Sequence, residues 1–320
     1  MKFGLYYSQA QDWVHPGGGK AGFEEGGGWD EAHKGDFDAY LSSIAVPQVK
    51  EILTRYHPDI LWWDTPRWMN QERAKPLLAQ LKSAPGIIHN NRLGGDYRGD
   101  TETPEQRIPA TGFKDRDWEV CMTINDTWGF KSYDENWKAA KDLLQKLCDI
   151  ASKGGNFLLN VGPTAEGLIP QPSIERLERI GAWMDTNGQA IYGTTAGPFH
   201  RLPWGRCTRK QTADGVTLYL LVFDWPGDGK LWVPGLMSQP RPIQLLSEGG
   251  SLKAELTQGD ESGLLIEVPG QAPDPCVSVI KLEFSSEPEL VPNIPRQTGE
   301  GIRCLTPHFA DLHTPGSASA

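Results

Sequence analysis

From Lys2 to about residue 197 the chain alternates between short apolar runs and segments of helical spacing, which confines it to folds assembled from β-α units. Residues 2–8 (KFGLYYS), 59–64 (DILWWD), 87–91 (IIHNN), 118–124 (WEVCMTI) and 156–161 (NFLLNV) read as strands. Between them, 46–57 carries Val49, Ile52, Leu53 and Tyr56 at helical spacing and stops at Pro58, and 71–83 sets Leu77, Leu78 and Leu81 on one side. The spacing predicts a long helix over 134–152, with Asp134 and Glu135 in its first turn and Trp137, Ala140, Leu144, Leu147 and Ala151 on one face. Another helix, over 172–187, presents Ile174, Leu177, Ile180 and Met184 and ends before Gly188. The stretch between the third and fourth strands reads as a polar loop. Alternating strands and helices imply parallel pairing, but five strands are too few for a complete eight-stranded β/α barrel. The count alone leaves two architectures open, an open sheet and a barrel lacking strands.

The pattern changes after residue 197. Short strands are predicted at 216–224, 230–233, 242–246, 252–256, 264–268 and 277–284, with Gly, Pro and Asp turns between them and no helical period. Residues 198–286 therefore read as a small antiparallel β domain, and 287–320 as a linker or tail.

Hydrophobic residues make up 38% and charged residues 22%, enough for a packed core. A net charge of −10 argues against a nucleic-acid partner, which would call for a basic face. No apolar run approaches the roughly 18 residues of a membrane span, so no membrane partner is expected. The opening Met-Lys-Phe-Gly-Leu-Tyr-Tyr-Ser reads as a strand rather than a secretion signal. The five cysteines form no C-x-x-C pair and the histidines show no metal spacing, so no metal or cofactor is predicted. Gly17-Gly18-Gly19 and Gly26-Gly27-Gly28 lack the helix that a phosphate cradle requires.

In β/α folds reactive groups gather at the carboxyl ends of the parallel strands. That rule selects Asp64, at the end of Ile-Leu-Trp-Trp-Asp and on the same strand face as Trp62. It also selects Asn90-Asn91-Arg92, and Asn125, Asp126 and Trp128. Each has a plainer reading: a turn aspartate for Asp64, core packing for Trp62 and Trp128. Glu105, in Thr-Pro-Glu, reads by itself as an ordinary first-turn helix glutamate. Together Asp64 and Glu105 would supply the carboxylate pair of a retaining glycosidase, whose members stand about 5–5.5 Å apart.

These pieces resemble glycoside hydrolase family 29, the retaining α-L-fucosidases. The matching strings are Phe-Gly-Leu-Tyr-Tyr-Ser (3–8) with Asp12-Trp13, and Gln48 to Leu53 leading into Asp59-Ile60-Leu61-Trp62-Trp63-Asp64. Then come Asn91-Arg92, Thr103-Pro104-Glu105, Trp118-Glu119 through Trp128-Gly129-Phe130, and Ser152 to Pro163. They cover about residues 1–200 in the family's order.

The resemblance implies that Asp64 is the nucleophile and Glu105 the general acid/base. It implies that Arg92 lies near sugar and nucleophile, that Tyr6 (in preference to Tyr7) contacts the sugar, and that Trp62 and Trp128 line the fucose pocket. It further implies an α/β fold: a partial (β/α)8 TIM-type barrel, about strands 4–8, over 1–197, followed by a β-sandwich. The family's His-Trp-Gly and His-His-Asp-Gly-Phe strings do not occur in these 320 residues, which is the expectation for a chain lacking the first three barrel strands. The implied activity is removal of terminal α-L-fucose from a fucosylated glycan or fucoside. Two alternatives stay open: a non-catalytic fragment with at most sugar binding, and a retaining glycosidase for another sugar. Open sheet edges would also admit a homo-oligomer. Family members are commonly secreted, periplasmic or lysosomal.

Overall fold

The computed structural model describes residues 1–18, 34–199, 202–259 and 262–291. Gly19, Gly26-Gly27-Gly28 and most of the predicted tail lie outside the described residues. The chain divides into two units, one comprising Met1–Thr103 and Phe113–Glu119, the other Pro104–Gly112 and the described residues from Val120 onward.

In the first unit, β1 (Gly4–Ser8), β2 (Ile60–Asp64) and β3 (Ile88–His89) pair in parallel, in that order. The register sets Tyr6 opposite Trp62 and Ser8 opposite Asp64. A parallel bridge from Asn90 to Thr101 leads to a short strand, β4 (Thr101–Glu102), inside the predicted polar loop. β4 pairs in parallel with the first residues of β5 (Asp117–Thr123). Two residues carry too little periodicity to read as a strand; parallel neighbours impose the extended backbone.

The predicted 46–57 helix is the last part of a longer one. Helix α1 (Phe37–Tyr40), N-capped by Asp36, runs through a π-helical stretch (Leu41–Ala45) into α2 (Val46–Tyr56). Pro47 has no N–H for the Ser43 carbonyl, and the Val46 N–H reaches back to Leu41 instead. α2 ends at His57 in the left-handed region, just before Pro58. α3 (Gln71–Leu81) starts at Asn70, whose side chain accepts the Arg73 N–H at 2.9 Å. The core joins Val49, Leu53, Ala74 and Leu77 of these helices to Leu61 and Trp63 of β2, all fully or almost fully buried. Each of the valine and leucine side chains among them contributes roughly 1.5–3 kcal/mol by leaving water. Alternation then sends Trp62 and Asp64 to the opposite face.

In the second unit the end of β5 neighbours β6 (Asn156–Asn160), with α4 (Ala140–Ser152) before β6 in sequence and α5 (Gln171–Asn187) after it. The long predicted helix starts only at Ala140. Asp134 is not in a first turn: its carboxylate accepts from Thr127 Oγ1 at 2.8 Å and from the Asp126 and Asn136 N–H groups at 3.2 Å, tying a loop instead. On α5, Leu177 is 41% exposed and Trp183 is the buried anchor, its indole N–H donating to the Val277 carbonyl at 2.7 Å.

The antiparallel part begins earlier than predicted. β7 (Thr195–Ala196), β8 (Gly205–Thr212) and β9 (Gly215–Val222) join β11 (Ile243–Leu245) and β14 (Ser278–Phe284) in the sheet order β11-β14-β9-β8-β7. A second sheet holds β10 (Lys230–Pro234), β13 (Gly263–Glu267) and β12 (Ala254–Thr257), in the order β10-β13-β12. β8, rich in Arg, Lys, Thr and Gln, lacks an apolar signal and was not predicted. Leu218, Leu220, Leu231, Val233, Leu264, Ile266, Ile280 and Leu282, from both sheets, share one core. On its other face β9 places Tyr219 and Leu221 against Leu144, Cys148 and Trp183 of α4 and α5. Two buried faces explain why this strand is apolar without alternation. The Met237 N–H donates to the Glu289 carbonyl and the Val291 N–H to Gly235, so the first residues of the predicted tail are tied to this domain.

Candidate active site

The carboxyl ends of β1 and β2 carry Tyr6 and Ser8 beside Trp62 and Asp64. Direct pairing stacks the Tyr6 and Trp62 rings, with centroids 5.8 Å apart and planes 20° off parallel. Tyr6 then extends its hydroxyl along the strand direction and donates to Asp64 Oδ2 at 2.7 Å. Burial, then this bond, pushes the Tyr6 phenol well above its ordinary pKa of 10.0, so it stays a donor. Tyr7, the alternative sugar-contacting tyrosine, points the other way: its hydroxyl bonds Gln48 at 2.8 Å and its ring packs on the core.

Arg92 supplies the second donor. Its Nη1 lies 3.1 Å from Asp64 Oδ1, in an ion pair whose side chains are 16% and 23% exposed. The guanidinium is itself held by Thr103, through Nε to Oγ1 at 3.0 Å and Nη2 to the carbonyl at 2.9 Å, and it lies over the Trp62 ring, 4.7 Å from its centroid. Thr103 Oγ1 passes a hydrogen bond to Asn91 Oδ1, and Asn91 donates to Glu102, which Arg98 and Arg116 also grip. The backbone beneath Arg92 is fixed by the buried Gln9 amide, which donates to the Arg92 and Leu93 carbonyls. An arginine fixed at three points confronts Asp64 as a rigid cation.

Two partners were not foreseen. Glu119, next to Trp118 in the matching string, accepts the Trp62 indole N–H through Oε1. Burial raises the Glu119 carboxyl above its ordinary 4.5, opposed by that hydrogen bond and by the charge of Arg92. Strand alternation was the available signal: Trp118 and Val120 are buried, which turns Glu119 to the other face. Thr65, directly after Asp64, is a β-branched residue at φ 52°, and its hydroxyl meets that of Ser8. No composition signal marks such a conformation.

Asp64, Tyr6, Trp62 and Arg92 are thus brought together in the first unit. Glu105 and Trp128 belong to the second. Glu105 does not open a helix: it forms a parallel bridge with Cys121, and Gln106 behind it takes φ 56° and bonds Thr123. Glu105 is exposed and lines a cavity of about 500 Å³ with Pro104, Arg107, Ile108, Pro109 and Lys153. Trp128, 41% exposed, sits in the loop that Asp134 ties, and its carbonyl accepts from Asn160 at 2.7 Å. Gly162 lies so close beneath this loop that a Cβ would meet the Phe130 nitrogen at 2.9 Å. Among the described residues no group of three or more His, Cys, Asp or Glu is placed to hold a metal ion, and no helix is long and apolar enough to cross a membrane.

Solved structures with this α/β-plus-β arrangement align over most of the chain. The crystal structure of an alpha-L-fucosidase from Vibrio sp. strain EJY3 aligns at TM-score 0.80 and 26% identity, over 94% of this chain and 54% of that one. Alpha-L-fucosidase isoenzyme 1 from Paenibacillus thiaminolyticus aligns at TM-score 0.75 and 33% identity, over 87% and 70%. The alpha-L-fucosidase family model matches residues 1–189, and the chain belongs to that family. Among relatives, the alpha-L-fucosidase of Branchiostoma floridae is 29% identical over 84% of this chain. The chain spans about 60% of the length of that relative and of the human tissue enzyme.

Proposed function

We propose that the chain carries the catalytic carboxylate of a retaining α-L-fucosidase acting on terminal α-L-fucose of a glycan or simple fucoside. The observation that carries this reading is Asp64, with one oxygen held by the Tyr6 hydroxyl and the other by Arg92, beside the Trp62 ring. Asp64 attacks the anomeric carbon as the glycosidic C–O bond breaks, forming a fucosyl ester. Glu105 gives its proton to the departing oxygen, then takes one from the water that opens the ester, with net retention. Trp62 and Trp128 offer apolar surface to the sugar's methyl group. For the architecture, the strand succession β1-β2-β3, the Asn90–Thr101 bridge and β4-β5-β6 never reverses. An open doubly wound sheet reverses at its switch point, so the unbroken succession supports a barrel segment of about strands 4–8 over 1–197, with a β-sandwich beyond it.

Release of nitrophenol from an aryl α-L-fucoside tests the reading. The 320-residue chain is expected to release it, and Asp64→Asn to lower the rate by roughly 10³-fold or more. A second reading rests on the same side chains: Tyr6, Trp62 and Arg92 around Asp64 bind fucosides without turning them over. Saturable L-fucose binding with no release would establish that one; neither binding nor release would refute both.

A further inference from the structure

Asp64 is the last residue of β2, and side chains take over there from the sheet ladder. The last pair with β3 is Leu61 with His89, and beyond it the Asn90 side-chain amide takes both main-chain groups of Trp63, at 3.0 and 2.9 Å. The Asp64 carbonyl accepts from the hydroxyl of the next residue, Thr65, at 2.8 Å. Thr65 stands at φ 52°, where the Cβ of an L-residue crowds the chain at a cost of roughly 1–2 kcal/mol. Glycine takes that conformation freely. Among the described non-glycine residues with positive φ, Thr65 is the one that is β-branched. A poorly suited side chain therefore occupies this turn, and it carries a hydroxyl that glycine would lack. That hydroxyl meets Ser8 Oγ, which comes from the end of β1 opposite Asp64. With the Thr65 proton on the Asp64 carbonyl, Ser8 is the donor of this pair and Thr65 Oγ1 the acceptor. Ser8 is itself anchored: Gln9 after it is fully buried, with its amide on the Arg92 and Leu93 carbonyls.

We propose that Ser8 and Thr65 are positioning residues for Asp64: Ser8 holds the Thr65 hydroxyl, Thr65 holds the Asp64 carbonyl, and the main chain so fixed aims the carboxylate at Tyr6 and Arg92. Two torsions separate the Asp64 main chain from its carboxyl oxygens, so a rotation of the main chain carries both oxygens away from donors that now stand at 2.7 and 3.1 Å. A displacement of about 1 Å at a reacting group can cost on the order of 10²-fold in rate. The catalytic consequence rests on the reading of Asp64 as the attacking group; the hydroxyl pair and its hold on the main chain do not.

The test compares three variants of the full chain: Thr65→Ser keeps the hydroxyl, Thr65→Gly keeps the turn, and Thr65→Val keeps the branched shape. One readout needs no turnover. It is the carboxyl signal of Asp64 in a chain labelled with carboxyl-¹³C aspartate, identified by its loss in Asp64→Asn. The signal is expected to hold its position in Thr65→Ser and to move in Thr65→Gly and Thr65→Val. The other readout is hydrolysis of nitrophenyl α-L-fucoside. Thr65→Ser is expected within about threefold of the parent, and Thr65→Gly and Thr65→Val to lose roughly tenfold or more in kcat with KM within about threefold. An unmoved carboxyl signal in either Thr65→Gly or Thr65→Val would overturn the proposal. So would parent-like kcat in Thr65→Gly, which would reduce Thr65 to a turn residue, or a loss in Thr65→Ser as large as in Thr65→Val. A raised KM with kcat kept would make Thr65 a sugar contact and would also overturn it. Should Thr65→Val fail to fold, Ser8→Ala takes its place: it is expected to move the Asp64 signal, and an unmoved one refutes the proposal. A parent without turnover would count against the proposed activity alone, and the Asp64 carboxyl signal would still decide this inference.

Discussion

Asp64 is held by two unlike donors, and their difference sets what each contributes. The Tyr6 hydroxyl is a single neutral donor that rotates to suit, and a hydrogen bond to a charged group contributes about 1.5–3 kcal/mol. Tyr6→Phe is therefore expected to lower kcat/KM on an aryl fucoside by roughly tenfold to 100-fold without changing the fold. Arg92 meets Asp64, Thr103 Oγ1 and the Thr103 carbonyl at once. A lysine cannot occupy that fork, so Arg92→Lys should cost about as much activity as Arg92→Ala despite keeping the charge. Comparable kinetics for Arg92→Lys and the parent would show that charge alone matters there. Glu119 gives a pH signature. Its carboxyl is raised by burial, so the folded state holds a proton that the unfolded chain releases near pH 4.5. The stability it contributes is complete below that pH and is lost as pH rises through the higher folded value. Glu119→Gln should flatten the fall in urea midpoint across that interval; an unchanged slope would refute the raised carboxyl.

At the scale of elements, the connection from β3 to β4 delivers Arg92 and Thr103 to the same place. Gly99 turns it at φ 58°, and a Cβ there would lie 2.3 Å from the Asn90 carbonyl oxygen. Asn90 is the residue bridged to Thr101, where the Asn91 N–H donates to the Thr101 carbonyl and the Asp100 N–H to the His89 carbonyl. Gly99→Ala must open the bridge, and a loss of about 2–4 kcal/mol in urea unfolding is expected, with loss of activity out of proportion to the remaining fold. This element also shows where sequence patterns run out. The strands that pack on helices, such as Ile60–Asp64, were legible because an apolar face must be paid for by apolar residues. Thr101–Glu102 and Gly205–Thr212 were not, because their extended backbone comes from hydrogen bonds to neighbouring strands and not from their own composition. The helix read from Asp134 failed for a related reason. Its carboxylate had a better use, gathering the donors of the Asp126–Asn136 loop.

At the scale of the whole molecule, the second unit joins helices and sheets through one strand. β9 faces the sandwich core with Leu218 and Leu220 and the helices with Tyr219 and Leu221. Trp183 fixes α5 to that arrangement through the Val277 carbonyl. Trp183→Phe removes this hydrogen bond and leaves a void, with an expected cost of about 2–3 kcal/mol. Because both cores share β9, circular dichroism at a helical wavelength and fluorescence of the sandwich tryptophans should report a single, coincident transition for that unit. Separate transitions would show that the helices and the sandwich fold independently.

The linear order of residues by itself determined the β-α alternation, the change to antiparallel strands past residue 197, and the candidates Asp64, Arg92, Tyr6 and Trp62. Apolar period and family strings are local properties, and local properties survive in a sequence. The tertiary structure decided the rest. It set the Tyr6 hydroxyl on Asp64 and the Tyr7 hydroxyl on Gln48, placed Thr103 behind Arg92, and brought Glu119 from β5 to the indole of Trp62 on β2. Those contacts join residues far apart in the chain, and only the register of parallel strands fixes which of them meet.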